Sequence, residues 1–367
     1  MTSTGSTPAR PLRVIGWSTG TVGRLVIAGI DARPDMELVG LWVSHPDKVG
    51  QDAGRLAGLD RDLGVLATND KSELYDLGAD VVIHSAMTDD RVFEGLEDLV
   101  DMVENGLNVV SSGPVLLTFP DGLGLDVYTD RIAAAGEESG ASLHVNGIDP
   151  GWANDVLPLT VTSLSKRIDL VRVSEIADYS TYYQPVVMHD LFGFGRPLDY
   201  EAVLWQPGIL TTAWGPVVKH IAAGLDLTLD EPLVEHVDRI AAESDFAIAS
   251  CEIPAGTMAA VRFTVTGTVD GEPRVVLEHV TRTHVDQAPH WPTPAEGGGS
   301  YRVEVFGDPN MKVEFTHEGE DGDHNDSGML TTAMRLVNAA HAVCAHPGGL
   351  VVAKDLPMIT GRGLVAR

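Results

Sequence analysis

The sequence predicts an α/β protein in two parts: a doubly wound parallel sheet first, then an α+β region built on a mainly antiparallel open sheet. Three observations predict it. A strand, a glycine turn, a helix and a second strand follow one another between residues 12 and 43. Short apolar runs then alternate with amphipathic stretches through residue 150. Beyond Asp149-Pro150-Gly151-Trp152 the runs lengthen and alternate with period two, the pattern of half-buried antiparallel strands.

The elements follow in order. Residues 12–17 are an apolar strand, 21–30 a helix with Gly and Ala where it packs closely, and 36–43 the second strand. This is one βαβ unit with a right-handed crossover. Short strands are predicted at 64–68, 79–86, 107–112 and 142–147, and helices at 91–104, ended by Asn105-Gly106, and 126–139. A helix is expected from residue 152 to 163 and a strand from Val171 to Ile176. Long strands are expected at 258–270, 274–285 and 301–316, interrupted by helices at 208–223 and 233–242. Residues 318–327 read as a polar, acidic loop, 329–345 as a final helix and 349–367 as a tail.

Asp and Glu outnumber Lys and Arg 53 to 25, a net charge of −28 over 367 residues. A surface this acidic repels nucleic-acid backbones and anionic lipid, so neither is an expected partner. No apolar run reaches the roughly 18 residues of a spanning helix. Residues 1–11 lack the apolar core of a signal peptide and read as a disordered lead-in. The two cysteines, Cys251 and Cys344, form no CxxC pattern. No metal site is therefore expected, and a reducing, cytoplasmic setting fits. The calcium-like run Asp321-x-Asp323-x-Asn325 has Asp326 at the glycine position and Thr332 at the bidentate acid, so it reads as a solvated loop. His279 and His284 fall on opposite sides of a strand, and His341 and His346 lie about 140° apart on a helix.

The chemistry is carried first by Gly16-x-Ser18-Thr19-Gly20-Thr21-Val22-Gly23. A strand-to-helix turn of this kind aims backbone N–H groups and a helix N-terminus at a dinucleotide pyrophosphate. Ser18 stands where the usual fingerprint has its middle glycine. At the end of the second strand come Ser44, His45 and Lys48, with no acid to read a ribose 2′-hydroxyl. A hydroxyl and two potential cations suit a 2′-phosphate, so NADP is expected ahead of NAD. Ala86 and Met87 after the fourth strand, Ser111, Ser112 and Gly113 after the next, and Asn146 complete the candidate cofactor set.

The chain resembles the 2,4-diaminopentanoate dehydrogenase and native amine dehydrogenase family of the dihydrodipicolinate-reductase-like superfamily. The resemblance rests on residues 20–23, 41–50 and 108–111, on Gly147-Ile148-Asp149-Pro150-Gly151-Trp152, on Phe192-Gly193-Phe194-Gly195, and on residues 335–339 and 359–363. It implies a Rossmann domain at 12–150, a substrate and dimerisation domain at 151–328, and a helix and tail at 329–367 returning to the first domain. It also implies a homodimer and NAD(P)-dependent interconversion of an amine with a ketone and ammonia, or a related C=N or C=O reduction. One departure matters. The family's amine dehydrogenases carry a proton-handling glutamate in the loop after Asn-Val-Val-Ser; here residues 111–120 contain no acid. The paired histidines of dihydrodipicolinate reductases are absent as well.

The proton donor is therefore expected from the second domain, with Glu175, Tyr179, Tyr182 and His189 as candidates. Val115, Leu116, Trp152 and Phe192 are expected to line an apolar pocket for a small ketone, imine or amine. Without the loop glutamate, reduction of a ketone or imine is the first expectation. An amine dehydrogenase recruiting its acid from the second domain is the alternative, and a cofactor-binding sensor without turnover is the reading from another class.

Overall fold

The computed structural model describes residues 10–320 and 322–365; the lead-in expected over residues 1–11 therefore falls almost entirely outside them. The chain divides into two compact units, one comprising the chain up to Pro114, Leu125–Gly147 and everything from Thr332 onward, the other Val115–Gly124 and Ile148–Thr331.

The first unit is a seven-stranded, wholly parallel sheet. Its strands are β1 (Leu12–Trp17), β2 (Met36–Trp42), β3 (Ala67–Thr68), β4 (Val81–His84), β5 (Asn108–Ser111), β6 (Ser142–Val145) and a short strand at Gly349–Leu350. Helices α1 (Thr21–Asp31), α2 (Ala53–Ala57), α3 (Lys71–Tyr75), α4 (Val92–Glu104) and α5 (Asp126–Ser139) connect them. The spatial order is 349–350, β6, β5, β4, β1, β2, β3. The order reverses between β1 and β4, which makes the carboxyl ends of those two strands the switch point where α/β sheets bind ligands. Val14, Val26, Val81, Ile83 and Val110 pack with Ala333, Leu336, Val337 and Ala340 of a later helix in one apolar cluster.

The second unit contains α6 (Val156–Thr162), β7 (Arg167–Asp178), a π-helical turn at Val186–Phe192, α7 (Ile209–Gly224) and β8 (Val234–Ala241). The strands β9 (Phe246–Ala247), β10 (Glu252–Ile253), β11 (Met258–Val269), β12 (Glu272–Arg282), β13 (Gly299–Asp308) and β14 (Met311–Phe315) follow. Its main sheet runs β14-β13-β7-β12-β11-β8. Val217, Val218 and Ile221 of α7 bury against Val173, Phe263, Leu277 and Val303 from the sheet. Helix α8 (His324–Cys344) follows, and Gly349–Leu350 of the first sheet is then β15. No helix among the described residues is long and apolar enough to cross a membrane.

Five local expectations are corrected. Residues 233–242 form strand β8, not a helix. Val234, Val237 and Ile240 have helix-like spacing, but β8 is an edge strand whose faces are both half-exposed, and a register shift opposite Met258–Ala260 breaks its alternation. The expected strand over 301–316 is a hairpin broken after Asp308. The helix expected from Trp152 begins only at Val156, because Gly151–Asp155 is a hydrogen-bonded turn. Helix α8 starts at His324, inside the expected loop, where the Asp323 side chain accepts from the Asn325 N–H. The expected tail from Gly349 contributes an edge strand. The second sheet is mixed, since β7 and β12 run parallel.

Candidate active site

In the first unit, the β1–α1 turn is shaped by Ser18, whose φ of 99° lies in the left-handed region. Its hydroxyl accepts from the Gly20 N–H at 3.2 Å. A Cβ on Gly23 would sit 2.3 Å from the Ser18 carbonyl oxygen, so only glycine allows the helix to approach the turn. A Cβ on Gly20 would meet nothing nearer than 3.7 Å. The protein itself does not require glycine there, at the N-cap of α1. Helix α1 has no side-chain cap and no acid in its first turn. The N–H groups of Thr21, Val22 and Gly23 thus have no intrahelical acceptors and remain open to an anion. Lys48 Nζ donates to Thr19 Oγ1 at 2.8 Å, bringing a cation to the same turn. These residues fit a nicotinamide dinucleotide.

The other cofactor candidates fall as follows. Gly16 is buried within β1, facing Leu41 and Leu38. Ser44 and His45 are exposed beyond β2, with His45 Nδ1 accepting from the Asp47 N–H at 3.3 Å. Ala86 is partly buried and Met87 exposed after β4. Ser112 is partly exposed and Gly113 buried. The Ser111 hydroxyl donates to the Gly113 carbonyl at 2.5 Å and is committed to its own turn. Asn146 Oδ1 accepts from Arg335 Nε at 3.0 Å.

In the second unit, β7 is a central strand. Cross-strand register places Glu175 beside His279 of β12 and beside Tyr301 of β13. Phe263 lies opposite His279 on β11 and Phe315 opposite Tyr301 on β14. Partners in register point to the same face, so these five residues form one row across the sheet. Phe263 stacks on the His279 ring at 4.8 Å, and Trp214 from α7 meets it edge-on at 5.0 Å.

Asp149 joins the row from the turn after β6. Its Oδ2 lies 3.2 Å from His279 Nε2, while Glu175 Oε2 lies 3.6 Å from His279 Nδ1. The Asp149 contact is an ion pair without hydrogen-bond alignment, since both buried atoms lack a well-directed partner. Asn154 Nδ2 donates to Asp149 Oδ1 at 2.5 Å, and Asn154 Oδ1 accepts from the Gly151 N–H at 2.9 Å, fixing the turn. Tyr179 Oη donates to Glu175 Oε1.

The electrostatics follow from burial. Glu175 is pushed up to about 7, chiefly by burial and then by the Asp149 charge, while His279 and Tyr179 pull the other way. Burial also disfavours the Asp149 carboxylate, but His279, Glu175 and Asn154 outweigh it and hold Asp149 below the usual range. Burial disfavours the His279 imidazolium, and the two carboxylates override it, raising its affinity for a proton. The Tyr179 phenol is held neutral, first by burial and then by Glu175. The result is a buried acid–imidazolium–acid cluster whose second carboxyl changes charge near neutrality, the property a proton-transfer group needs. The donor atoms of Asp149, Glu175 and His279 lie within 4.8 Å of one another, compatible with a cation. Both ring nitrogens face carboxylates that favour the protonated ring, however, and a metal would require an imidazole lone pair.

Among the four candidates from sequence, the structure joins Glu175 and Tyr179 directly. Tyr182 packs its ring 4.9 Å from that of Tyr179. His189 is paired instead with Asp190 at 3.1 Å and Arg196 at 3.3 Å. Trp152 packs edge-on against Phe315 at 5.2 Å. Phe192 is buried, stacked on Phe194. Val115 and Leu116 open a short 3-10 turn, with Leu116 buried. The sequence marks neither Asp149 nor Tyr301 as a site residue, and it pairs His279 only with His284, on the opposite side of the strand. Asp149 lay inside a recognised segment, whereas His279 and Tyr301 become partners of Glu175 only through strand pairing.

The family model for the 2,4-diaminopentanoate dehydrogenase C-terminal domain matches residues 152–364, and that for the dihydrodipicolinate reductase N-terminus matches residues 11–101. An amine dehydrogenase of Streptomyces virginiae is 41% identical over 361 residues, covering 97% of this chain and 99% of that protein. A 2,4-diaminopentanoate dehydrogenase of Acetoanaerobium sticklandii is 25% identical over 76% of this chain and 74% of its own length. The solved amine dehydrogenase from Mycobacterium smegmatis shares the fold at a TM-score of 0.76 and 20% identity, covering 97% of this chain and 98% of that one. The chain thus belongs to the 2,4-diaminopentanoate dehydrogenase and amine dehydrogenase family and is a nicotinamide-dependent oxidoreductase.

Proposed function

We propose that the chain interconverts a small, mostly apolar amine with its ketone and ammonia, and that Glu175 of the second unit handles the proton. The observation that carries this reading is the buried Glu175 carboxyl, poised at about 7 between His279 and Tyr179. It supplies an acid–base group to a chain whose loop at 111–120 has none.

The balanced reaction is amine, NAD(P)+ and water giving ketone, ammonia, NAD(P)H and a proton. Bound nicotinamide supplies the hydride acceptor. The N–H groups at the α1 N-terminus would hold the pyrophosphate, with the Lys48 ammonium beside the same turn. In the oxidative direction the ionised Glu175 removes a proton from the substrate ammonium, freeing the nitrogen lone pair that assists hydride departure from carbon. The resulting iminium takes up water, and Glu175 exchanges the protons that accompany loss of ammonia. His279 and Asp149 set the charge felt by Glu175, while Tyr179 orients its carboxylate. The aromatic residues of the row exclude water around it.

NADP is the proposed preference, supported by Ser44, His45 and Lys48 in place of an acid after β2. A cytoplasmic homodimer is the proposed setting. Reduction of a ketone without ammonia is the second reading, favoured by the acid-free loop. Incubating the enzyme with a panel of apolar ketones and NADPH, with and without ammonium, separates the two. The proposal expects ammonium-dependent NADPH oxidation and amine product; alcohol formed equally well without ammonium supports the second reading.

A further inference from the structure

We infer that His84 is a positioning residue for the Ser111–Gly113 turn and, through that turn, for the nicotinamide cofactor; the inference rests on the cofactor reading above. His84 ends β4 at the switch point, in register with Trp17 on one side and Ser111 on the other. Its side chain is completely buried. His84 Nδ1 lies 2.9 Å from Ser111 Oγ. The single hydroxyl proton of Ser111 is donated to the Gly113 carbonyl at 2.5 Å. The contact from His84 must therefore be a donation from Nδ1–H into the hydroxyl oxygen.

The Gly113 N–H also donates to Ser111 Oγ, at 3.3 Å. Ser111 Oγ thus closes a small ring with the turn, and His84 braces that ring from the neighbouring strand. The backbone repeats the link, since the Ser112 N–H donates to the His84 carbonyl at 3.0 Å.

The assigned tautomer leaves Nε2 as a bare acceptor. That atom is buried and has no hydrogen-bond partner, a costly state for an interior polar group. An apolar residue would fill the same space without that cost. On the other side Trp17 lies 6.3 Å away, itself stacked on Trp42 at 4.7 Å, so packing is already supplied there. What the imidazole adds is one directed donor to the turn. Burial lowers its pKa to about 4, which keeps the ring neutral and the tautomer fixed at working pH.

The test is a fluorescence titration of NADPH into the full-length wild type, His84→Leu and His84→Asn, with kcat measured at saturating cofactor. Loss of one buried donor should weaken cofactor binding roughly five- to thirtyfold, with kcat changed by less than about threefold because the proton-handling group is untouched. His84→Asn places an amide donor near the position of Nδ1 and should recover most of the affinity. Unchanged affinity in His84→Leu overturns the inference, as does His84→Asn binding no better than His84→Leu. Should His84→Leu fail to fold, nitrogen NMR of the wild-type imidazole at pH 7 decides: protonated Nδ1 with bare Nε2 upholds the inference, and the opposite tautomer overturns it. A wild type that binds neither NADPH nor NADH would instead sink the cofactor reading itself.

Discussion

Replacing Glu175 by Gln removes the titratable carboxyl, and with it one of the charges that favour the His279 imidazolium. The amide keeps the side-chain volume and an oxygen to accept from Tyr179 Oη. In the wild type the carboxyl titrates near 7. Amine oxidation needs the carboxylate, so its rate should rise with pH through about 7 and then level. Reductive amination needs the acid and should show the mirror-image limb. Loss of a positioned acid–base group typically lowers the rate about 10²- to 10⁴-fold. Glu175→Gln should lose activity on that scale and lose the limb near 7, measured by NADPH absorbance between pH 5 and 10. The same carboxyl predicts a stability change of opposite sign. Its folded-state pKa lies above the unfolded value, so the folded protein holds a proton that the unfolded chain releases between the usual carboxyl range and about 7. Wild-type stability therefore falls as pH rises through that window, by at most about 3 kcal/mol. Glu175→Gln escapes this loss and should have the higher Tm at pH 8, with the difference vanishing near pH 4. Activity within tenfold of wild type and an intact limb would refute the assignment of Glu175.

Three further outcomes follow from other contacts. Tyr179→Phe removes a hydrogen bond that lowers the Glu175 pKa, so the limb should move to higher pH with a modest rate loss; an unmoved limb counts against the pairing. Gly23→Ala forces a methyl to 2.3 Å from the Ser18 carbonyl oxygen, so calorimetry should show destabilisation of about 1–3 kcal/mol, with NADPH binding weakened or lost. Lys48→Ala should weaken NADPH more than NADH in equilibrium titrations; equal losses would confine Lys48 to the pyrophosphate turn, where it bonds Thr19.

The parallel half was legible because each of its signals is local. Apolar runs at 12–17 and 81–84, the glycine turn, and the stop at Asn105-Gly106 declare themselves within a few residues. The second half was harder for a physical reason. Leu233–Ala242 carries helix-like spacing, and only its pairing with β11 makes it a strand. The same limit applied to the site. Glu175 lies near the end of β7 and Tyr179 just beyond it, four residues on, so extended backbone carries both to one face. His279 lies 104 residues further on, and it meets Glu175 because β12 runs parallel to β7. Tyr301 arrives through β13 and Asp149 from a turn. The shift of Glu175 toward neutrality depends on burial and on Asp149, neither of which a linear sequence displays. Ser18 illustrates the converse. Read as an imperfect fingerprint, it adopts the left-handed backbone more often given to glycine and completes the turn.

The most direct test of the central claim is a crystal structure of the enzyme with NADP+ and an unreactive amine. The account predicts a Glu175 carboxylate oxygen within about 2.6–3.2 Å of the amine nitrogen, or bridged to it by one water, with the substrate carbon facing nicotinamide C4. A different acid on that nitrogen, or Glu175 walled off from the substrate, would contradict it.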